Sequence, residues 1–207
     1  MAREVEKKYR VVNLPNELDP GVRIFQGYID FRNNDLLKQT IKQYFGDQID
    51  LDNIKEARIR LSDDGENPQY YLTLKSDGTI SRDEFNTEIT EEEFSQLREG
   101  VDLGEIEKVR HDIPFDGGFK GELDVYSGRL DGLVVVEFEF DPEQHDESLI
   151  DSAARSVDSG AEDVTKVKSF KNRELAMTHS LEELETRVAE ELSEIKTEGG
   201  QEPGRRI

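Results

Sequence analysis

The stretch "REVEKKYRV", residues 3–11, lies almost at the start of the chain and sets its charges where a core-facing strand would not. Successive side chains of an extended strand point to opposite faces. Val5 and Tyr9 therefore share one face, while Glu4, Glu6 and Lys8 line up on the other. Alone, this is an ordinary amphipathic strand with its polar side in water. The later strands decide whether it is more.

They repeat the pattern. "EARIRL" puts Arg58 and Arg60 opposite Ile59 and Leu61, and "YLTLKS" puts Lys75 and Thr73 opposite Leu72 and Leu74. "RDEFNTEI" aligns Arg82, Glu84, Asn86 and Glu88 against Phe85 and Ile89. "EKVRHDI" pairs Lys108 with Arg110, "GELDVY" pairs Glu122 with Asp124, and "VVVEFEF" pairs Glu137 with Glu139. Like charges two residues apart on a strand face stand only ~6.6 Å from each other. They repel unless opposite charges or a ligand stand across from them. A closed barrel lined by these faces, its apolar faces outward beneath helices, gathers cationic and anionic pairs around one cavity. Such a cavity suits a polyanion bound with a divalent metal, cations gripping phosphate and carboxylates holding the metal that bridges to it.

The composition limits the alternatives. The chain has 207 residues, enough for one domain with a sizeable core. Its 27 Lys and Arg face 48 Asp and Glu, a net charge of −21, which repels nucleic acid and anionic membranes. With no cysteine there are no disulfides or thiolate metal sites, and the three histidines, His111, His145 and His179, are scattered. A metal would be held by oxygen, which points to Mg2+ or Mn2+. No apolar signal core opens the chain and no run approaches membrane-spanning length, so the expected location is the cytoplasm.

The predicted class is α+β. Eight strand-like segments up to residue 140 are interrupted by helices over "NDLLKQTIKQYFG" and over "TEEEFSQLREG", the latter opening on a Thr90–Glu93 capping box. After Pro142 the pattern is helical: "ESLIDSAARSV", part of "VKSFKNRELAM", and "SLEELETRVAEELSEIK". The last carries a stripe of Leu181, Leu184, Val188, Leu192 and Ile195 at steps of three and four. It is expected to pack on the domain; a dimerising coil, and so a homodimer, is the other reading. Residues 199–207, "GGQEPGRRI", read as a flexible tail.

The order of these pairs resembles the CYTH family of triphosphate tunnel metalloenzymes, named for class IV adenylyl cyclase and thiamine triphosphatase. The family's E-x-E-x-K opening matches Glu4, Glu6 and Lys8, and "RIR", "TLK", "SRDEFNTEI", "KVRHDI" and "GELDVYSGRLDGLVVVEFEF" follow in the family's order. "EDVTKVKSFKNRELA" resembles its closing helix, with Lys168 where a tunnel lysine is expected. Asn86 stands where members often carry another glutamate, and the tryptophan often seen before the closing segment is missing.

The resemblance implies an eight-stranded antiparallel barrel forming a charged tunnel over residues 1–178, with helices packed outside, a C-terminal helix over 179–198 and the tail beyond. It implies phosphate contacts from Lys8, Arg58, Arg60, Lys75, Arg82, Lys108, Arg110 and Lys168. Glu4, Glu6, Glu122, Asp124, Glu137 and Glu139 would hold Mg2+ or Mn2+, with Glu4, Glu6 and Lys8 as the catalytic group. The implied activity is metal-dependent hydrolysis of a small triphosphate, inorganic tripolyphosphate first, because no clear nucleoside pocket is legible. Thiamine triphosphatase, with Tyr28, Tyr70 or Phe170 at a tunnel mouth, adenylyl cyclase and a noncatalytic polyphosphate-binding module are the alternatives.

Overall fold

Turn chemistry cuts the chain into strands. Between the third and fourth, Asp63 and Asp64 accept hydrogen bonds from the backbone N–H groups of Gly65, Glu66 and Asn67 at 2.8–2.9 Å, which reverses the chain. The computed structural model describes residues 5–46, 49–76 and 84–199. Its strands are β1 (Val5–Val11), β2 (Val22–Ile29), β3 (Ile54–Asp63), β4 (Gln69–Ser76), β5 (Glu84–Glu88), β6 (Glu105–Pro114), β7 (Lys120–Tyr126), β8 (Val134–Phe140) and β9 (Glu162–Asp163). The helices are α1 (Asp35–Phe45), α2 (Glu91–Arg98), α3 (Glu147–Val157), α4 (Asn172–Met177) and α5 (Leu181–Gly199). The capping box at Thr90 and Glu93 opens α2 as expected. Among the described residues no helix is long and apolar enough to cross a membrane.

The strands form one antiparallel sheet in the order β5-β4-β3-β2-β6-β7-β8-β1-β9. This corrects the expected closed barrel of eight strands: among the described residues there are nine, and the end strands β5 and β9 do not pair. Closure needs edge strands long enough to exchange a ladder, and β5 offers five residues and β9 two.

The register confirms the charged face. Lys8 stands opposite Glu137, Glu6 opposite Glu139, Glu122 opposite Glu137 and Arg110 opposite Asp124. Across the other half of the sheet, Gln26 faces Arg60, Tyr28 faces Arg58, and Lys75 faces both Glu56 and Glu84. All these side chains share one face because the pleat repeats every two residues. On the opposite face Ile59, Leu72 and Leu74 bury against Leu37 and Ile41 of α1 and Phe94 and Leu97 of α2. Beyond them Tyr9, Leu123, Val136 and Phe138 bury against Ile150, Ala153 and Ala154 of α3.

The last helix packs on the domain as expected, but the face it covers is not the outer one: α4 and α5 pack on one end of the charged face itself, where Tyr28, Ile106, Tyr126 and Val135 meet Val164, Val167, Phe170, Leu175, Leu184 and Val188. The stripe of α5 is used there, within the chain. Gly104 lets α4 come this close. Its φ is +99°, and a Cβ on it would lie 2.0 Å from the Ala176 carbonyl oxygen. Arg129 locks the same corner, donating to the carbonyls of Ala176 and Thr178 at 2.6 Å and to that of Glu105. Gly104→Ala is expected to cost at least about 2 kcal/mol through strain and displacement of α4, read as a Tm lower by roughly 5 °C; an unchanged Tm contradicts the packing.

Candidate active site

The charged face opens into two cavities that share Glu6. The first, about 500 Å3, is walled by Lys8, Arg58, Lys75, Lys171 and Arg173 against Glu6, Glu56 and Glu174, with Tyr28 among them. The second, about 650 Å3, reverses the balance: Glu6, Glu122, Glu137, Glu139 and Asp141 against Arg110 and Lys120. In a chain of net charge −21, a pocket with more cations than carboxylates is a local inversion of the field.

Between the cavities runs an ion network. Lys108 and Asp124 pair with both side chains fully out of water. The Arg110 Nε donates to Asp124 Oδ1 at 2.7 Å, and a terminal nitrogen reaches Asp124 Oδ2 at 2.7 Å and Glu137 Oε2 at 3.2 Å; Glu122 takes the other arm. The Lys8 ammonium stands 2.8 Å from Glu137, 3.4 Å from Glu6 and 3.1 Å from the carbonyl oxygen of Phe170. Burial disfavours the charge on Lys8, but Glu137 and Glu6 outweigh it and raise its pKa. For Arg60, burial comes first and the neighbouring Arg58 and Arg110 add to it, so its pKa falls.

Burial pushes the Glu137 carboxyl up, yet Lys8, Lys108 and Arg110 together pull it from 4.5 down to about 2. A depressed carboxylate pKa contributes stability above the unfolded value, and that stability is lost as pH falls through the folded one. The contribution is about 3 kcal/mol, fully present above about pH 5 and gone near pH 2. Urea unfolding across this window is expected to show Glu137→Gln losing less stability than the parent chain; equal slopes contradict the network.

Of the residues expected at the site, Glu6, Lys8, Arg58, Lys75, Arg110, Glu122, Glu137 and Glu139 line the cavities. Glu4 and Arg82 lie outside the described residues. Arg60 shares the face, its guanidinium 4.8 Å over the Tyr71 ring, without reaching either cavity wall. Three expected residues stand off the walls of these cavities. Lys108 and Asp124 pair with each other in full burial. Lys168 sits exposed on a 3-10 turn (Lys168–Phe170), its backbone N–H bound by Glu191 of α5 at 2.6 Å. Lys171 and Arg173, three and five residues on, take the cavity wall instead. The turn before α4 shifts the phase, which the helical pattern does not reveal. Glu56 was legible, two residues before Arg58 on the same strand face.

The donors are all oxygen, as Mg2+ or Mn2+ require. Among the described residues no three His, Asp or Glu stand ready to hold a metal. Glu6 and Glu139 face each other in register on the acidic cavity, with Glu122 and Glu137 nearby on its wall. A divalent ion fits there if substrate phosphate oxygens complete its shell, the usual habit of Mg2+. Asp124 does not fit, being held by Lys108 and Arg110.

No protein-family model matches the chain. It is 30% identical over 175 residues to an inorganic triphosphatase of Nitrosomonas europaea, covering 84% of this chain and 97% of that one. It is 33% identical over 146 residues to an inorganic triphosphatase of Acetivibrio thermocellus, covering 69% and 78%. A crystal structure of an inorganic triphosphatase superposes with a TM-score of 0.58 at 29% identity, covering 87% of this chain and 98% of that one. A putative adenylyl cyclase from Hippeastrum with a dominant triphosphatase activity shares the fold at TM-score 0.50 and 16% identity, covering 77% and 90%. With 30% identity over 84% of this chain and 97% of that relative, the chain belongs to the CYTH family of triphosphate tunnel metalloenzymes.

Proposed function

We propose that the chain hydrolyses inorganic triphosphate with Mg2+ or Mn2+. The observation that carries this reading is the cationic cavity set into an acidic protein: Lys8, Arg58, Lys75, Lys171 and Arg173 converge on about 500 Å3. Its lining is mainly charged, and its apolar members Val164, Val167 and Phe170 are also packed into the buried cluster beneath α4 and α5. The relatives named above are inorganic triphosphatases, which supports the same substrate. The charged face, roofed by the closing segment and α4, serves as the tunnel.

The chemistry asks mainly for position and charge. Arg58 and Arg173 can grip phosphate oxygens through two N–H groups at once, while Lys8, Lys75 and Lys171 act as point charges. Arg110 is held charged by Asp124, Glu122 and Glu137 against the cost of its burial, and presents a fixed positive field at the junction of the cavities. Glu6, on both walls, holds the attacking water and takes its proton. Water oxygen bonds to the terminal phosphorus as the bridging P–O bond breaks, releasing orthophosphate and pyrophosphate. A divalent ion at Glu6 and Glu139 would neutralise charge on the phosphoryl group being transferred.

Incubation with Mg2+ or Mn2+ and, separately, tripolyphosphate, ATP and thiamine triphosphate tests this. Orthophosphate is expected fastest from tripolyphosphate. Cyclic AMP with pyrophosphate from ATP overturns the reading in favour of a cyclase. Tight tripolyphosphate binding without turnover overturns it in favour of a binding module.

A further inference from the structure

Gln26 lies near the middle of β2, on the charged face, and is only 4% exposed. Its amide oxygen is buried and, among the described residues, accepts no hydrogen bond. Directly opposite in register on β3 stands Arg60, whose Nε is likewise buried with nothing to donate to. Buried polar groups are nearly always partnered. Here an unused acceptor and an unused donor belong to register partners on adjacent strands, whose side chains stand close enough to meet. One bond would satisfy both.

The position of Arg60 explains why it is not made. Its guanidinium lies 4.8 Å over the ring of Tyr71, its register partner on the other side, on β4. Arg60 therefore has two seats: over Tyr71 toward the sheet edge, or back across β2 onto Gln26. Arg58 and Arg110, lining different cavities, both press on it electrostatically. An anion between them removes that repulsion and favours a guanidinium turned toward the cavity.

We propose that Gln26 is a positioning residue for Arg60: with triphosphate bound, the Arg60 Nε–H donates to the Gln26 amide oxygen, which aims the terminal N–H groups at phosphate. This rests on the reading of the charged face as a triphosphate site. The sequence pattern passes over Gln26 because it carries no charge; its parity with Ile24 and Tyr28 is the only signal.

The test uses inorganic tripolyphosphate binding by calorimetry in EDTA, where turnover is suppressed, beside thermal unfolding. Gln26→Leu removes an orphaned acceptor at similar volume, so Tm is expected to hold or rise. Tripolyphosphate affinity is expected to fall roughly tenfold. Gln26→Met, which keeps the length of the side chain, is expected to do the same. Arg60→Gln also weakens binding, and the double variant Gln26→Leu/Arg60→Gln is expected to bind no worse than Arg60→Gln alone. Parental affinity in both Gln26 variants, or additive losses in the double variant, overturns the proposal. Failure of the parent chain itself to bind tripolyphosphate overturns the underlying reading of the site, and the parent measurement tells the two failures apart.

Discussion

Asp124→Ala is expected to lower the unfolding free energy by about 3–5 kcal/mol, a Tm drop of roughly 10 °C for a chain of this size. Both Asp124 and Lys108 have side chains at 0% exposure, and Arg110 binds the same carboxylate through two nitrogens. Removing the carboxylate leaves a buried ammonium without its ion-pair partner, its pKa already lowered by burial. Breaking such a pair costs far more than replacing both members with apolar groups of like volume. Lys108→Met with Asp124→Leu is therefore expected to recover much of the lost stability. Calorimetric unfolding of the metal-free protein checks this. A carboxylate serving only as a metal ligand gives the opposite result, since its removal relieves repulsion when no metal is bound; an unchanged or higher Tm for Asp124→Ala would establish that role.

Glu6→Gln is expected to divide turnover from binding. The two cavities meet at Glu6, and its side chain is 59% exposed. Its ion pair with Lys8 spans 3.4 Å, the kind of exposed contact that contributes at most about 1 kcal/mol to stability. The fold is thus expected to tolerate the change. With tripolyphosphate and Mg2+, kcat is expected to fall on the order of 10²–10³-fold, the scale for losing one group that stabilises the transition state. Tripolyphosphate affinity in EDTA is expected to change by less than about threefold, because the cations are untouched. Parental kcat in the variant removes Glu6 from the mechanism.

Most of the charged face was legible because strand parity follows from covalent geometry. Glu6 with Lys8, Arg58 with Arg60 and Glu137 with Glu139 needed only the period of two, and the register returned each to the face expected. Which charges cancel one another depends on cross-strand partners, and no single segment contains them. Asp124 reads like a metal ligand in "GELDVY" and becomes a buried counter-ion once β6 pairs with β7 and sets Arg110 against it. Closure was illegible for a similar reason. The two-residue β9 has no pattern to find, and the packing of α4 depends on Gly104, far earlier in the chain. At Lys168 a single 3-10 turn sets the phase of the closing segment and leaves Lys171 and Arg173 on the cavity wall, which no periodicity in the segment reveals.

The end of the sheet at β5, unpaired among the described residues, bears on how copies of this protein treat one another. An open edge strand offers free N–H and C=O groups to any passing strand and is the usual route to edge-to-edge aggregation. Here the edge is β5, five residues long, with Glu84 and Glu88 exposed at its two ends. A second copy docking there antiparallel would bring acid against acid, on molecules that each already carry −21. Among the described residues the sheet thus ends at β5 on a border that is electrically hostile to a second copy of itself.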